Sequence, residues 1–164
     1  MEDISKKEDL QKLVNSYEMK VLSVLDSFNL KTHLLCDHLG YLLHNSEEFD
    51  KVSKAMLEYS VLIKEVILHG RRIRVFKLKE SLTGKFNIPK IEIFEPKQGL
   101  DPSELRYGIE HIAFTVKDWE EFILKDRERL PIVKEGSVGN SLFMKTEIIN
   151  TIEIEFRNDR LGEE

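Results

Sequence analysis

Two histidines occupy matching positions in the two halves of this chain. Asp37-His38-Leu39 in the first third is echoed by Glu110-His111-Ile112 in the last third, so each histidine follows an acidic residue. Imidazole nitrogens bind first-row divalent metals. Two copies of one structural unit could therefore each present a histidine to the same metal ion.

Each copy also ends in a carboxylate within a strand-like run. Ile91-Glu92-Ile93 closes the first copy and Ile152-Glu153-Ile154 the second, with Glu155 two positions after Glu153. Strand alternation puts these glutamates on faces turned away from the helix of their unit. Taken singly, a histidine or glutamate in a sheet is more often structural or solvated. Recurrence at matching positions favours a divalent-metal site instead.

The pattern of apolar residues defines the elements that would position these side chains. A Ser-x-x-Glu capping box that begins at Ser5 precedes an apolar helical stripe, which predicts an N-terminal helix over 5–30. Residues 34–95 then indicate a strand, a helix capped by Ser46 and three further strands, with a hairpin turn at 69–71. This is the first unit, with the order βαβββ.

A polar stretch with glycine and proline, 96–107, reads as a linker, and 108–157 repeats the order with a second capping box that begins at Asp118. The strands predicted in this second unit span 109–116, 130–133, 141–146 and 151–156. We therefore expect an α+β fold in a single domain over 1–164. An N-terminal helix precedes two βαβββ modules, whose curved mixed sheets pair into one system around a cleft.

Composition narrows the possible partners and the location. The net charge of −5 is spread along the chain, whereas nucleic acids and anionic membranes require clustered cations, so neither is an expected partner. The single cysteine, Cys36, lies in an apolar stretch, and nothing at the N-terminus reads as a signal segment. We expect a cytoplasmic monomer or homodimer with Cys36 in its core and a small molecule as ligand or substrate.

Further polar residues allow both a functional and a structural interpretation. His44 shares the strand face of His38 and could contact a substrate or move a proton, but a structural role at the strand end is an equal alternative. His33 and His69 fall in loop or turn positions, so they should face solvent. One strand carries a basic run that is either an anion-binding edge or a solvated edge protected against aggregation. Its members are Arg71, Arg72, Arg74 and Lys77.

These residues together resemble a known superfamily. The element order, with His38 in Asp-His-Leu, Glu92 in Ile-Glu-Ile and His111 in Glu-His-Ile, is similar to the vicinal oxygen chelate superfamily. That group includes glyoxalases, methylmalonyl-CoA epimerases, extradiol dioxygenases and bleomycin-resistance proteins. More narrowly, His44-Asn45, Gly70-Arg71 and the Gly-x-Glu-His-Ile run over 108–112 resemble the YecM family within it.

The resemblance implies a ligand set for the metal. His38, Glu92 and His111 would be ligands, while the fourth is Glu153 by the Ile-Glu-Ile correspondence or Glu155 by the YecM-like pattern. Mixed nitrogen and oxygen donors select weakly among manganese, iron, zinc, cobalt and nickel, so the metal could be any of these.

Two functional hypotheses follow. The first is a metal-dependent isomerase, lyase or oxidoreductase of dioxygenase-like type that acts on a small oxygen-bearing substrate, with Glu153 as general base and His44 as a second group that moves a proton. The alternative is a non-catalytic module that binds a small ligand with the same fold. The sequence does not separate them, because substrate identity depends on loops such as 136–140.

Overall fold

A long N-terminal helix precedes two units of the same element order in the computed structural model of this chain, which describes residues 3–163. The helices and strands are α1 (Lys7–Phe28), β1 (Leu34–Leu42), α2 (Ser46–Met56), β2 (Ser60–Leu68), β3 (Arg71–Leu82), β4 (Ile88–Phe94), β5 (Gly108–Val116), α3 (Trp119–Lys125), β6 (Ile132–Val138), β7 (Ser141–Thr146) and β8 (Ile154–Arg157). Short 3₁₀ turns lie at Pro102–Glu104 and Arg127–Arg129. The α+β class is confirmed, and β1 to β4 and β5 to β8 each follow the βαβββ order.

All eight strands join one mixed sheet, in the order β2-β3-β4-β1-β5-β8-β7-β6. In each unit the first strand pairs in parallel with the last, β1 with β4 and β5 with β8. The units meet through the antiparallel pair β1–β5. The strand order is therefore the same when read outward from the centre in either direction, which relates the units by an approximate two-fold axis.

The two faces of the sheet differ in chemistry. Alternate side chains of the central strands pack with the helices into one apolar core, whose members include Leu39, Ile91, Ile112 and Ile154. The opposite face, called the inner face below, carries a small apolar cluster made by Leu42, Ile73 and Phe94. Its other positions on the central strands include the histidines and glutamates singled out by the sequence.

The start of α1 differs from the predicted capping box. The amide of Ser5 donates to the carboxylate of Asp3 at 2.8 Å, so the chain turns before the helix begins. Lys6 is the N-cap and has no side-chain capping hydrogen bond. The predicted cap at Ser5 is therefore wrong, although the helix itself is present. None of the described helices is both long and apolar enough to cross a bilayer.

The other two helices are capped by side chains. Asn45, rather than the predicted Ser46, caps α2, and its side-chain oxygen accepts from the amide of Glu48 at 2.8 Å. Asn45 has the extended backbone of an N-cap residue, whereas Ser46 is already helical. The predicted cap of α3 is confirmed, because the Asp118 carboxylate accepts from the amide of Glu121 at 2.9 Å.

The strand boundaries differ from prediction in both units: in the first, β3 begins at Arg71, within the predicted turn over 69–71, and runs on to Leu82. The β2–β3 hairpin turns at His69 and Gly70, with φ of 51° and 74°, as a two-residue turn requires. In the second unit β6 begins at Ile132, after Pro131, and continues to Val138, so most of the predicted loop over 136–140 is strand. β8 begins only at Ile154, because the chain first turns back on itself through an isolated bridge between Ile149 and Ile152.

A β-bulge lies directly before each of the repeated histidines. The β1–β5 register skips Asp37 on one strand and Glu110 on the other. A bulge leaves its extra residue unpaired and re-aims its side chain. Each acidic residue can therefore reach the ring of the histidine that follows it, which strict alternation would prevent.

Gly40 makes room for the ring of His111 on the neighbouring strand. The two residues are register partners, and a Cβ built on Gly40 would lie 2.2 Å from Cε1 of His111. We expect Gly40→Ala to lower the free energy of unfolding of the metal-free protein by about 1–3 kcal/mol, measured by urea denaturation, because the ring has to move. In Gly40→Ala/His111→Ala the clash partner is gone, so the two changes should be strongly non-additive. A single variant as stable as the wild type would contradict this account.

Candidate metal centre

Three side-chain donors converge on one point of the inner face. Nε2 of His38 lies 3.1 Å from Nε2 of His111, and these two atoms lie 3.5 and 3.4 Å from Oε2 of Glu92. Both histidines are buried, and the Glu92 side chain is 16% exposed. The donors come from β1, β5 and β4, three adjacent strands of the sheet.

The spacing of these donors fits a first-row metal. An ion bonded at about 2.1 Å holds neighbouring donors about 3.0 Å apart in octahedral and about 3.4 Å apart in tetrahedral geometry. The three separations in the structure, 3.1–3.5 Å, lie within about 0.1 Å of this range. Two imidazoles and one carboxylate that leave coordination positions open are a donor set typical of non-haem iron and related divalent ions.

Asp37 fixes the orientation and tautomer of His38. Its Oδ2 lies 2.7 Å from Nδ1 of His38. Burial opposes ionisation of Asp37, but hydrogen bonds from His38 and Lys90 outweigh it and lower its pKa to about 2. An ionised carboxylate can only accept, so Nδ1 carries a proton and the lone pair of the neutral ring lies on Nε2, toward the other donors. Carboxylate support of this kind is common behind metal-binding histidines.

Asp37 is itself held from two sides. Lys90, fully buried, lies 2.9 Å from Oδ1, and the amide of Leu161 donates to Oδ2 at 3.1 Å. Lys90 also donates to the carbonyl oxygen of Leu161 at 2.7 Å. The backbone of Leu161 therefore contacts both Asp37 and Lys90, the pair that supports His38.

Glu110 occupies the corresponding position beside His111, with a looser contact. Its Oε1 lies 3.6 Å from Nδ1 of His111, and this buried nitrogen has no hydrogen-bond partner among residues 3–163. Burial opposes ionisation of Glu110, but the contact with His111 outweighs it and lowers the pKa of the carboxyl group. The acid-histidine pair of the sequence is thus repeated in space.

The sheet register shows which glutamate corresponds to Glu92. Glu92 lies beside Gly40 across β1–β4, and Glu155 lies beside Ala113 across β5–β8. Gly40 and Ala113 are 73 positions apart, as are the two histidines. Glu155 is therefore the counterpart of Glu92, and the Ile-Glu-Ile echo in the sequence was displaced by two residues.

Glu155 is buried beside the three donors, and its charge is compensated by two cations. Its Oε2 lies 3.8 Å from Nε2 of His111 and 3.5 Å from the amine of Lys145, while Oε1 accepts from Arg157 at 3.0 Å. Burial raises the pKa of Glu155, but His111 and Lys145 outweigh it, so the pKa is lowered. Glu155 thus lies one short side-chain movement from the other donors.

Glu153 lies further out, in contact with two cations. Its carboxylate accepts from Arg106 at 2.8 Å and lies 3.4 Å from the amine of Lys145. Together with Glu110 and His111 it also forms a second group of potential donors within 4.8 Å of one another. Lys145 therefore links Glu153 to Glu155, a bridge that the sequence analysis did not predict. Strand alternation within 141–146 places Lys145 on the same face as Phe143, and this was the only signal for Lys145 that the sequence offered.

The remaining candidates lie away from the three donors. The ring of His44 stacks on Tyr107 at 4.2 Å, and its Nδ1 lies 2.9 Å from Glu48. His33 and His69 are exposed, as predicted. Cys36 is buried in the core, also as predicted, and burial raises the pKa of its thiol.

Comparison with known proteins places the chain in a family. The family model described as YecM protein matches residues 6–158, which include the N-terminal helix and both units. The chain belongs to the YecM family. No curated protein matches it. All four candidate ligands lie inside the matched region of this YecM-family chain.

Solved structures with the same fold extend the comparison. A structural-genomics protein, EC4020, is 21% identical at a TM-score of 0.67, over 93% of this chain and 89% of that protein. The hypothetical protein BH1468 from Bacillus halodurans C-125 is 21% identical at a TM-score of 0.59, over 80% of this chain and 98% of that protein. Streptomyces coelicolor methylmalonyl-CoA epimerase, in complex with 2-nitronate-propionyl-CoA, is 16% identical at a TM-score of 0.59, over 80% of this chain and 99% of that protein. These likenesses confirm the vicinal oxygen chelate fold of the YecM-family chain.

The charge state of His111 gives a pH-dependent stability. Burial and Lys145 oppose its protonation, but Glu110, Glu92 and Glu155 outweigh them and raise its pKa to about 9. A raised folded-state pKa stabilises the protein fully below the unfolded value of about 6.5, and this contribution is lost as pH rises through about 9. We expect the free energy of unfolding of the metal-free protein, from urea denaturation, to fall between pH 6.5 and 9.

Two variants test whether the His111 ring causes this pH dependence of the free energy of unfolding. In His111→Gln the fall with pH should be smaller, because the titrating ring is absent. In Glu110→Gln the NMR titration midpoint of the His111 ring should move to lower pH, because a contact that favours the charged ring is lost. A wild-type stability that is flat over this range would contradict the assignment.

Proposed function

We propose that this chain binds one divalent first-row metal through His38, Glu92 and His111, with Glu155 as the fourth ligand, and acts on a small substrate with neighbouring oxygens. The observation that carries the proposal is the set of donor separations, 3.1–3.5 Å among three side chains on adjacent strands. Each unit supplies one histidine and one carboxylate, so the whole chain works as a single domain.

The geometry of the neighbouring residues supports a metal. The ionised carboxylate of Asp37 accepts from Nδ1 of His38, so the Nε2 lone pair of the neutral ring faces His111 and Glu92 and is available to a cation. Manganese, iron, zinc, cobalt and nickel all accept this mixture of donors. When bound, such an ion supplies Lewis-acid polarisation of a substrate oxygen.

Glu153 is the residue we assign to proton transfer. It is partly exposed, and it lies beside Lys145, whose amine also reaches the proposed ligand Glu155. A carboxylate in this position can take a proton from a substrate carbon or hydroxyl next to the site and return it. His44, stacked on Tyr107, is assigned to substrate contact or to a second proton transfer at the end of β1.

The reaction class follows from these roles and from the fold. An isomerase, lyase or oxidoreductase that stabilises a developing negative charge on oxygen is consistent with them, and epimerase structures of this fold hold 2-nitronate-propionyl-CoA. We place the protein in the cytoplasm as a monomer or homodimer, without nucleic acid or membrane as partner. The non-catalytic ligand-binding module is the alternative that the experiments below separate.

The metal is tested by elemental analysis of protein purified without a histidine tag. We expect about one ion per chain in the wild type, and we expect His38→Ala, Glu92→Gln and His111→Ala each to weaken affinity by more than about 100-fold. His33→Ala and His69→Ala are matched controls, because both histidines are exposed and lie outside the helices and strands. Stoichiometric metal in His38→Ala/His111→Ala would refute the site.

The two outer glutamates should behave differently. Glu155→Gln should weaken metal affinity, whereas Glu153→Gln should retain the metal and lose any turnover. If both variants keep metal and activity, neither glutamate belongs to the site. If Glu153→Gln alone loses the metal, the assignment of the fourth ligand is wrong.

Turnover is tested by screening isomerase, lyase and dioxygenase substrates with the metal-loaded protein. Activity that is abolished by chelation and by His111→Ala supports the enzyme. Saturable binding of a small molecule without product supports the binding module.

A further inference from the structure

Residues 158–163, called the strap below, run from the second unit to the first. At the start of the strap, the amide of Asn158 donates to the carbonyl oxygen of Leu142 on β7 at 3.2 Å, and its side-chain oxygen accepts from the amide of Leu142 at 2.7 Å. Asp159 then accepts from Arg157 at 3.0 Å. The strap is therefore anchored in the second unit before it reaches the first.

The far end of the strap contacts two lysines of the first unit. Lys90 on β4 lies directly opposite Lys77 on β3, and like charges at opposed positions destabilise a sheet. Glu163 of the strap compensates both, because its carboxylate accepts from Lys77 at 3.0 Å and lies 3.4 Å from the amine of Lys90. Lys90 lies two positions before Glu92, so its side chain shares the inner face with that proposed ligand.

A closed ring of contacts joins the strap to Asp37. The amide of Leu161 donates to Oδ2 of Asp37 at 3.1 Å, and the amine of Lys90 lies 2.9 Å from Oδ1. The same amine donates to the carbonyl oxygen of Leu161 at 2.7 Å, which closes the ring. Oδ2 is also the oxygen that lies 2.7 Å from Nδ1 of His38. One residue of the strap thus helps to position the carboxylate that orients His38.

A turn that requires glycine presents Leu161 in this way. The amide of Glu163 donates to the carbonyl oxygen of Arg160 at 3.1 Å, and Gly162, the third of these four residues, has a φ of 77°. A Cβ built on Gly162 would also lie 2.8 Å from Cδ1 of Ile63 on β2. The backbone conformation and the close packing therefore both favour glycine at this position.

Burial of charge makes the strap important for Asp37. Lys90 and Asp37 are both fully buried, and buried charges are tolerated only when partners and hydrogen bonds compensate them. The ammonium group of Lys90 has three donors, and its three partners are Asp37, Leu161 and Glu163. Release of the strap would remove two of these three partners, together with the amide that faces Oδ2 of Asp37.

We propose that the strap positions the metal centre: Leu161 and Lys90 hold Asp37, and through it His38, so that docking of the strap and binding of the metal stabilise each other. This inference rests on the proposed function, because it concerns the affinity of that site for its metal. Changes behind a metal-binding histidine alter metal affinity by about 10–100-fold. Coupling is reciprocal, so the factor by which the docked strap raises metal affinity equals the factor by which the metal stabilises the docked strap.

Two substitutions at one position test the amide of Leu161. Proline suits the second position of a turn and removes the N–H group, whereas alanine keeps it. We expect Leu161→Pro to weaken the affinity for zinc, measured by calorimetry, about tenfold, and Leu161→Ala to weaken it by less than about threefold. Equal affinities in the wild type and both variants would overturn the proposal.

A second pair of variants disturbs the turn and leaves Leu161 in place. Gly162→Val puts a β-branched residue at a φ of 77° against Ile63. Gly99→Val is the matched control, at a φ of 81°, where a Cβ would have no neighbour within 4 Å among the described residues. Zinc affinity should fall about tenfold in Gly162→Val alone. Equal weakening in both variants would show a general loss of stability and count against the strap.

Amide exchange measures the reciprocal effect. Saturation with zinc should slow exchange of the Leu161 amide by about the same tenfold factor. The amide of Glu104, which donates to Asp101 within its own turn, is the internal control and should exchange at an unchanged rate. If zinc leaves exchange at Leu161 unchanged, the strap and the metal are not coupled.

The tautomer of His38 separates this proposal from the proposed function, because it is read without metal. At alkaline pH, nitrogen-15 NMR of the neutral ring should show a proton on Nδ1 in the metal-free wild type, and a mixture of tautomers in Leu161→Pro. A strap-dependent tautomer in a wild type that takes up no first-row metal would support the strap and refute the metal centre. Zinc bound equally tightly by the wild type, Leu161→Pro and Gly162→Val would refute the strap alone.

Discussion

The antiparallel pairing of β1 with β5 is the contact on which the candidate metal centre depends. It joins the two units into one sheet, and its register sets His38 and His111 within 3.1 Å of each other. The same register contains the two bulges that turn Asp37 and Glu110 toward the rings. A shift of one residue would move every side chain of one strand to the other face. The apolar core between the helices and the sheet therefore also fixes the site, because burial of one face of β1 and β5 holds this register.

Burial of charge is the second constraint on the inner face. Lys90 and Asp37 are both fully buried in contact with each other, and Glu155 is 5% exposed between Lys145 and Arg157. Charges removed from water are tolerated only when each has a partner and hydrogen bonds. The inner face is consequently a connected set of ion pairs, and a change at one member alters the electrostatics of its neighbours.

The sequence predicted those features that follow from local repetition. Element order, both histidines and Glu92 could be read from alternation and recurrence, since strand geometry has a fixed period of two. The bulges could not, because they arise from pairing between distant strands. The same limit displaced the correspondence of Glu153 and Glu155 by two residues. It also concealed Lys145, whose partner glutamates lie in and directly before another strand. The cap of α3 was predicted correctly, but the cap of α2 was displaced by one residue, since neighbouring polar side chains compete for the same amide groups.

The two halves of the sheet are similar but not equal, and the difference lies beside the proposed ligands. Val75 lies opposite Glu92 where Lys145 lies opposite Glu155. Two identical chains that assembled through the same central strands would repeat every substitution on both sides of the axis. Joining the copies in one polypeptide removes that obligation. One side can keep an apolar neighbour while the other acquires an amine, so a symmetric scaffold can hold a substrate that has two chemically different ends.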